Sequence, residues 1–161
     1  VLSNLIREVK DSYDYVLIDC SPSLGMITVN ALTAADSVII PVHAQYLPAK
    51  GMTDLLQTIN RVQRRLNPDL KVEGVLLTLV DGRTNMAKET ASAIRDTFGS
   101  HLRIFNASIP MGVKAAEASA EGMSILKYAP SSPVAEAYKD FSKEVIRDAR
   151  EKVRHRSEVL R

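Results

Sequence analysis

The fold is decided by the stretch YDYVLIDCSPSLG, residues 13–25 of the chain. Residues 15–18 form a continuous apolar run of residues that favour β structure, and such a run is typical of a strand buried on both faces of a parallel sheet. Asp19 follows directly, and the turn-forming residues Ser21, Pro22, Ser23 and Gly25 come next. We therefore predict a buried strand that ends at Asp19 and opens into a loop.

Strand and helix patterns alternate outward from this stretch. Strands are predicted at residues 15–18, 38–42, 72–80 and 102–110. Helices are predicted at residues 1–9, 26–35, 51–66, 86–98 and from 134 onward, with breaks at Asn67-Pro68 and Gly99. This order predicts an α/β fold in which helices flank a parallel sheet, with ligand sites at the carboxyl ends of the strands.

Composition limits the class of protein. The chain has 161 residues, of which 45% are hydrophobic, so we predict a single domain over residues 1–161 and exclude disordered and fibrous classes. With 21 Lys+Arg and 19 Asp+Glu the net charge is only +2, so any nucleic-acid surface must be local. The lone Cys20 excludes an internal disulfide and favours a reducing cytoplasm. No apolar run reaches the roughly 20 residues that span a bilayer.

The last helix sorts its charged residues into two stripes. One stripe is basic and the other is acidic, and we interpret them as the solvated face of an amphipathic helix with weak ion pairs. The basic residues are Lys139, Lys143, Arg147, Arg150 and Arg154, and the acidic ones are Asp140, Glu144, Asp148 and Glu151. We predict that residues 151–161 form a frayed basic tail.

Asp19 is the strongest candidate for chemistry, because a carboxylate at the end of a buried strand lies where a sheet opens to a ligand. Magnesium held through water often uses a carboxylate at this position. Asp before Ser-Pro-Ser is also good turn chemistry, so Asp19 could instead cap the following turn or helix. Position alone does not separate the two interpretations.

Other catalytic and binding motifs are absent from the sequence. There is no Gly-Lys dipeptide, hence no phosphate-binding G-x-x-x-x-G-K-[ST] loop, and no G-x-G-x-x-G. His43, His101 and His155 lack the spacing of metal ligands, and no serine lies in a G-x-S-x-G turn. Cys20 lacks the cationic neighbours that produce a thiolate. Nucleophilic catalysis therefore has no support.

The residues around Asp19 nevertheless resemble a known family. Residues 13–25 and 30–36 closely resemble the Walker B segment of the ParA/Soj family of chromosome and plasmid partition ATPases. Further matches in the family's order and spacing fall at residues 73–78, 81–85, 109–110, 117–118, 128 and 130. The resemblance covers essentially the whole chain.

The resemblance implies a P-loop NTPase (Rossmann-like) fold, ATP and magnesium as cofactors, and an ATP-dependent homodimer. It also implies DNA binding without sequence preference, a ParB-type partner, and a cytoplasmic, nucleoid-associated protein with no membrane role.

The resemblance assigns nucleotide-site roles to several residues. Asp19 looks like the catalytic Walker B aspartate that orders a magnesium-bound water. Pro22 and Gly25 resemble parts of the adjacent switch loop. Ile109 and Pro110 begin a stretch similar to the loop near the adenine. All five are therefore expected to lie close to bound nucleotide.

The resemblance also assigns a DNA-facing role to Arg83 and Lys114. Arg83 could instead pair with Asp81 or cap the next helix. The chain departs from the family pattern at Ser21, where a proline is usual, at Met111, where an arginine is common, and at Lys114, where an arginine is usual. Fewer or weaker cations there are expected to weaken DNA binding.

The family's Walker A loop lies upstream of the segment that this sequence matches. The chain therefore looks like the C-terminal part of a ParA protein, and we expect it to be inactive as an ATPase on its own. The alternative function is a DNA-binding or partner-binding module that lacks a P-loop. A receiver-like signalling domain is less favoured, because its acidic pair and lysine are not evident.

One structural consequence follows for the sheet. In the family's fold the Walker A strand separates the strands predicted here at residues 15–18 and 38–42. Without it, unpaired backbone groups would face the gap. We expect the two strands to close up directly, or a second copy of the chain to cover the gap.

Overall fold

The structure is a computed structural model that describes residues 2–21, 23–44 and 49–159, with the side chains of residues 49–50, 86–87 and 152–159 left undescribed. The strands are β1 (Ser37–His43), β2 (Lys71–Val80) and β3 (Ile104–Pro110). The helices are α1 (Leu2–Val9), α2 (Met26–Ala34), α3 (Ala49–Arg65), α4 (Asn85–Phe98), α5 (Val113–Ala120), α6 (Ile125–Tyr128) and α7 (Pro133–Val159), with a 3-10 turn at Lys10–Ser12 after α1. None of the described helices is long and apolar enough to cross a membrane.

The three strands form one sheet in the order β1-β2-β3. β2 and β3 are parallel, with Val75 opposite Ile104 and Val80 opposite Pro110. β1 runs in the same direction, because Lys71 N–H donates to Asp36 O at 3.1 Å and Ala44 N–H donates to Thr78 O at 3.0 Å. The prediction of an α/β fold with a parallel sheet flanked by helices is confirmed.

The prediction of a strand at residues 15–18 is wrong. Residues 15–20 have no regular secondary structure, and the side chains of Tyr15 and Leu17 are 53% and 91% exposed. An apolar run becomes a buried strand only where neighbouring strands complete its hydrogen bonds and other elements cover its faces. No strand in the described part of the chain pairs with residues 15–18. Direct closure onto residues 38–42 does not occur.

The chain packs into two compact units, the first within residues 1–40 and 48–73 and the second within residues 41–47 and 74–161. In the first unit α2 packs against α1 and α3. Asn67 Nδ2 donates to Leu32 O at 3.1 Å and to Ala35 O at 2.8 Å, which ties the end of α3 to the end of α2. The predicted break at Asn67-Pro68 is therefore confirmed, and the amide has a packing role. The prediction of a single domain stays a prediction.

The core of the second unit lies between β2, β3 and the helices that follow them. Its largest fully buried side chains are Phe105, Leu77, Ile94 and Val75. α7 packs against β3, and the Phe141 ring meets the Phe105 ring edge-on, with centroids 5.0 Å apart. α7 is helical to Val159. The predicted fraying of residues 151–161 stays a prediction.

Glu144 corrects the interpretation of the acidic stripe on α7, because it is buried, with 7% of its surface exposed. Its carboxylate accepts hydrogen bonds from the Arg103 guanidinium at 2.8 Å, from Asn106 N–H at 3.2 Å and from Ala107 N–H at 3.1 Å. Burial alone would raise the pKa of Glu144, but these donors outweigh it and hold that pKa below its ordinary value. Arg103 also pairs with Asp148. One carboxylate thus anchors α7 to the edge of the sheet.

The predicted end of α4 at Gly99 is confirmed. Gly99 N–H donates to Arg95 O at 2.8 Å, and α4 ends at Phe98. A Cβ at Gly99 would clash with that same carbonyl oxygen. The close approach of backbone to backbone explains why glycine stands at this position.

Candidate functional site

Asp19 lies in the first unit, after residues 15–18, which have no regular secondary structure, and it is exposed. The loop that follows is tied to α2, because the buried Thr28 donates its hydroxyl to Ser23 O at 2.5 Å. The N-cap of α2 is Gly25, and no side chain caps that helix. Asp19 is therefore not the N-cap residue of α2, and the alternative that it caps the turn before that helix stays open. An exposed carboxylate oxygen can accept a hydrogen bond from a magnesium-bound water.

Gly25 begins α2 with extended backbone, φ −82° and ψ −173°, and its carbonyl accepts from Val29 N–H at 3.1 Å. A Cβ here would meet only Ser23 Oγ, at 3.8 Å. The described contacts of this unit therefore do not require glycine here, and the nucleotide-site role of Gly25 stays a prediction. Pro22 lies outside the described residues.

Ile109 and Pro110 lie in the second unit, at the carboxyl end of β3. Ile109 is buried, with 4% of its surface exposed, so its side chain belongs to the core. Met111 N–H donates to Val80 O at 3.1 Å and continues the pairing with β2. A Cβ at Gly112 would lie 2.6 Å from Val134 Cγ2, so α7 packs against the start of α5 through this glycine. A ligand beside this turn would meet backbone and the half-buried Pro110.

Arg83 forms a two-pronged ion pair with Asp81. Its Nε lies 2.9 Å from Asp81 Oδ1 and its Nη2 lies 3.0 Å from Asp81 Oδ2, while Arg83 N–H donates to Oδ1 at 3.1 Å. These bonds lower the pKa of Asp81 and raise that of Arg83. The pairing that the sequence left open is thus present, and the Arg83 side chain is still 87% exposed. Its DNA-facing role stays a prediction.

Lys114 belongs to a second charged cluster, which we name the α5 cluster and which consists of Lys114, Glu117 and Tyr128. Lys114 Nζ lies 2.9 Å from Glu117 Oε2, and Tyr128 OH donates to the same oxygen at 3.0 Å. Lys114 Nζ also lies 5.8 Å from the centre of the Tyr128 ring. Hydrogen bonds from Lys114 and Tyr128 lower the pKa of Glu117, and the bond to Glu117 raises that of Lys114. The carboxylate is thus held from two sides.

The described candidate residues fall in both units. Asp19 and Gly25 lie in the first unit, whereas Ile109, Pro110, the Asp81–Arg83 pair and the α5 cluster lie in the second. Among the described residues no group of three or more His, Cys, Asp or Glu side chains could hold a metal ion. Asp19 fits magnesium as one oxygen ligand acting through water, and the sequence holds no G-x-x-x-x-G-K-[ST] loop to cradle a triphosphate.

Sequence reasoning assigns no site role to Glu117 or Tyr128, and it places Glu144 on a solvated stripe although that residue is buried. The three-residue spacing of Lys114 and Glu117 is a usable signal, because such side chains are neighbours on a helix. The hydroxyl of Tyr128 comes from a different helix, so only the folded chain brings it to Glu117. The burial of Glu144 depends on the packing of α7 against β3, and the sequence alone does not show this packing.

Sequence and structure comparisons find known proteins that are similar to this chain. A family model described as an AAA domain matches residues 1–72. The sporulation initiation inhibitor protein Soj of Bacillus subtilis is 44% identical over 144 residues, which is 89% of this chain and 56% of that relative. The chain is similar in sequence to the Soj and ParA partitioning proteins. The chromosome-partitioning ATPase Soj of Treponema pallidum is 41% identical over 145 residues, 90% of this chain and 56% of that relative.

The chain spans about half the length of the curated relatives it matches. Among solved structures, cobyrinic acid a,c-diamide synthase from Mycobacterium smegmatis, with bound ATP analog and magnesium, superposes with a TM-score of 0.77 at 32% identity. That match covers 92% of this chain and 53% of the synthase chain. The architecture is therefore part of a P-loop NTPase fold, as expected from the sequence.

Proposed function

We propose that this chain is part of an ATP-dependent partition ATPase that acts in the segregation of chromosomes or plasmids. The observation that carries the proposal is the 44% identity to Soj over 89% of the chain. Identity at this level over nearly the whole sequence constrains far more positions than a single motif does. The α/β fold, with its parallel three-stranded sheet, is compatible with this function.

On the nucleotide side, we assign Asp19 to the magnesium site. Its exposed carboxylate would accept hydrogen bonds from water on the ion. Pro22 and Gly25 would form the loop beside the phosphates, and the turn at Ile109 and Pro110 would face the adenine. ATP with magnesium supplies the phosphoryl-transfer chemistry when bound. The contribution of this chain is to position water and the loop around it.

On the DNA side, Arg83 and Lys114 would contact phosphates of the duplex. Their side chains are 87% and 59% exposed, so a strand of DNA can reach both. Contacts to phosphates carry no sequence information, which fits binding without sequence preference. We further propose that the whole protein acts as an ATP-dependent homodimer in the cytoplasm, on the nucleoid, and that a ParB-type partner stimulates its ATPase.

The DNA contacts are tested in the full-length protein that carries this sequence, with ATP and magnesium, by fluorescence anisotropy on two labelled duplexes of unrelated sequence. Arg83→Ala and Lys114→Ala should each weaken binding to both duplexes equally. Each should also reduce the slope of log K against log salt by about 0.9, the value for one lost phosphate contact.

Lys143→Ala is the matched control, because Lys143 is an exposed lysine that pairs with Asp140 at the (i, i+3) spacing, as Lys114 does with Glu117. It removes the same charge from α7 and should leave the salt slope unchanged. Unchanged affinity and slope in both Arg83→Ala and Lys114→Ala would contradict a DNA-facing role for these residues.

The second candidate function is a DNA-binding or partner-binding module without ATPase activity. It is favoured by one observation, the absence of a G-x-x-x-x-G-K-[ST] loop from this sequence. Calorimetric titration of the full-length protein with magnesium-ATP separates the two candidates. Micromolar binding supports the ATPase, and no binding supports the module.

A further inference from the structure

The cation that we assign to DNA on α5 is already held by an acidic side chain. Lys114 Nζ lies 2.9 Å from Glu117 Oε2, one turn further along the same helix. A DNA phosphate oxygen would need the same ammonium hydrogens. Carboxylate and phosphate therefore compete for one cation, and the negative charge of Glu117 also repels the incoming phosphate.

Tyr128 strengthens this competitor. Its hydroxyl donates to Glu117 Oε2 at 3.0 Å, so it holds the carboxylate on the side that faces Lys114. Tyr128 lies on α6 and Glu117 on α5, and these two helices pack against each other within the second unit. An isolated surface pair costs side-chain entropy each time it forms. A second donor from a neighbouring helix reduces that cost, because the carboxylate is already in place.

We propose that Glu117, positioned by Tyr128, is an intrinsic competitor that weakens the contact between Lys114 and the DNA phosphate backbone. The inference rests on the proposed DNA-binding function and adds a residue that limits its strength. Phosphate displaces Glu117 from Lys114 when DNA binds, and Glu117 recaptures Lys114 when DNA leaves. A partition protein that must release and rebind DNA gains faster release from such a competitor.

The competition does not depend on pH near neutrality. Hydrogen bonds from Lys114 and Tyr128 lower the pKa of Glu117, and the bond to Glu117 raises that of Lys114. Both groups thus stay charged across the neutral range. A change at Glu117 therefore acts through loss of its charge and its hydrogen bond.

The test measures DNA affinity of the full-length protein with ATP and magnesium, by anisotropy on a labelled duplex. Glu117→Gln removes the charge and keeps the size of the side chain. We expect it to tighten binding about two- to fivefold, the range set by exposed ion pairs. The slope of log K against log salt should stay within about 0.5 of the wild-type slope, because Lys114 contacts phosphate in both proteins.

Glu121→Gln is the matched control. Glu121 is exposed and follows the last residue of α5, so its substitution changes the net charge equally without touching the pair. We expect less than half of the gain seen with Glu117→Gln. Tyr128→Phe should tighten binding in the same direction but by less, because it frees the carboxylate without removing its charge.

The double variant Lys114→Ala/Glu117→Gln isolates the interaction. In the Lys114→Ala background, Glu117→Gln should give no more gain than Glu121→Gln does. If Lys114→Ala leaves affinity unchanged, the DNA contact itself is wrong and the inference falls with it. If Lys114→Ala weakens binding but Glu117→Gln does not exceed Glu121→Gln, the DNA contact stands and only the competitor is wrong. Weaker binding by Glu117→Gln would also overturn the inference.

Discussion

Replacing Glu144 by alanine should destabilise the second unit strongly. The carboxylate is 7% exposed and accepts from Arg103 Nη2, Asn106 N–H, Asn106 Nδ2 and Ala107 N–H at 2.8, 3.2, 3.2 and 3.1 Å. Its removal leaves two backbone donors of β3 without their acceptor, each of which costs about 1–3 kcal/mol when it stays buried. The substitution also breaks a buried ion pair, for which losses of about 3–5 kcal/mol are typical.

Two features reduce this cost. Arg103 keeps Asp148 as a partner, so its charge is not left alone, and water can enter the space left by the shorter side chain. We therefore expect the free energy of unfolding to fall by about 3 kcal/mol, near the lower end of the buried-pair range. Urea unfolding followed by circular dichroism measures the difference.

The matched control is Glu136→Ala. Glu136 lies on the same helix, is 54% exposed and pairs with Lys139 at 2.7 Å. Its loss should cost no more than about 1 kcal/mol, as for other exposed pairs. A loss below about 1 kcal/mol for Glu144→Ala would refute the anchoring role of Glu144.

Three further outcomes follow from the same contacts. Gly112→Ala should lower stability by about 1–3 kcal/mol, because its Cβ would lie 2.6 Å from Val134 Cγ2, whereas Gly82→Ala, with nothing within 4 Å, should stay within about 0.5 kcal/mol in thermal melts. The folded-state pKa of Glu144 lies below its ordinary 4.5, so its stabilisation is present above that pH and is lost as pH falls. The gap in unfolding free energy between wild type and Glu144→Gln should therefore shrink from about pH 6 to about pH 3. This chain alone should neither bind magnesium-ATP at micromolar concentration nor hydrolyse it in calorimetry and phosphate release, because Asp19 cannot replace a phosphate-binding loop.

Local patterns predicted three of the strands and five of the helices, but they missed the short helices α5 and α6. The apolar stripe of α3, its end near Asn67 and the closure of α4 at Gly99 depend on neighbouring residues and on backbone geometry, which the sequence displays directly. The same kind of local pattern, an apolar run of residues that favour β structure, predicts a strand at residues 15–18. A strand also needs a neighbouring strand to pair with, and that requirement is not local.

The candidate site was predicted unevenly for a related physical reason. The motif around Asp19 and the cations at Arg83 and Lys114 stand out by residue type and order. The pairing of Arg83 with Asp81 can be anticipated, because the two residues are two positions apart. The contact of Tyr128 with Glu117 cannot, because Tyr128 lies on another helix. Contacts between elements depend on packing, and one sequence without its fold does not give that packing.

The central claim is that Asp19 belongs to the magnesium-ATP site of a partition ATPase. ATP hydrolysis by the full-length protein, measured as phosphate release with magnesium, DNA and its partner protein, tests it most directly. Asp19→Asn keeps the size of the side chain and should lower the rate about a hundredfold, the scale of a misplaced reacting group. Asp14→Asn, at another exposed carboxylate five residues earlier, should leave the rate unchanged. Equal rates for wild type and Asp19→Asn would contradict the claim.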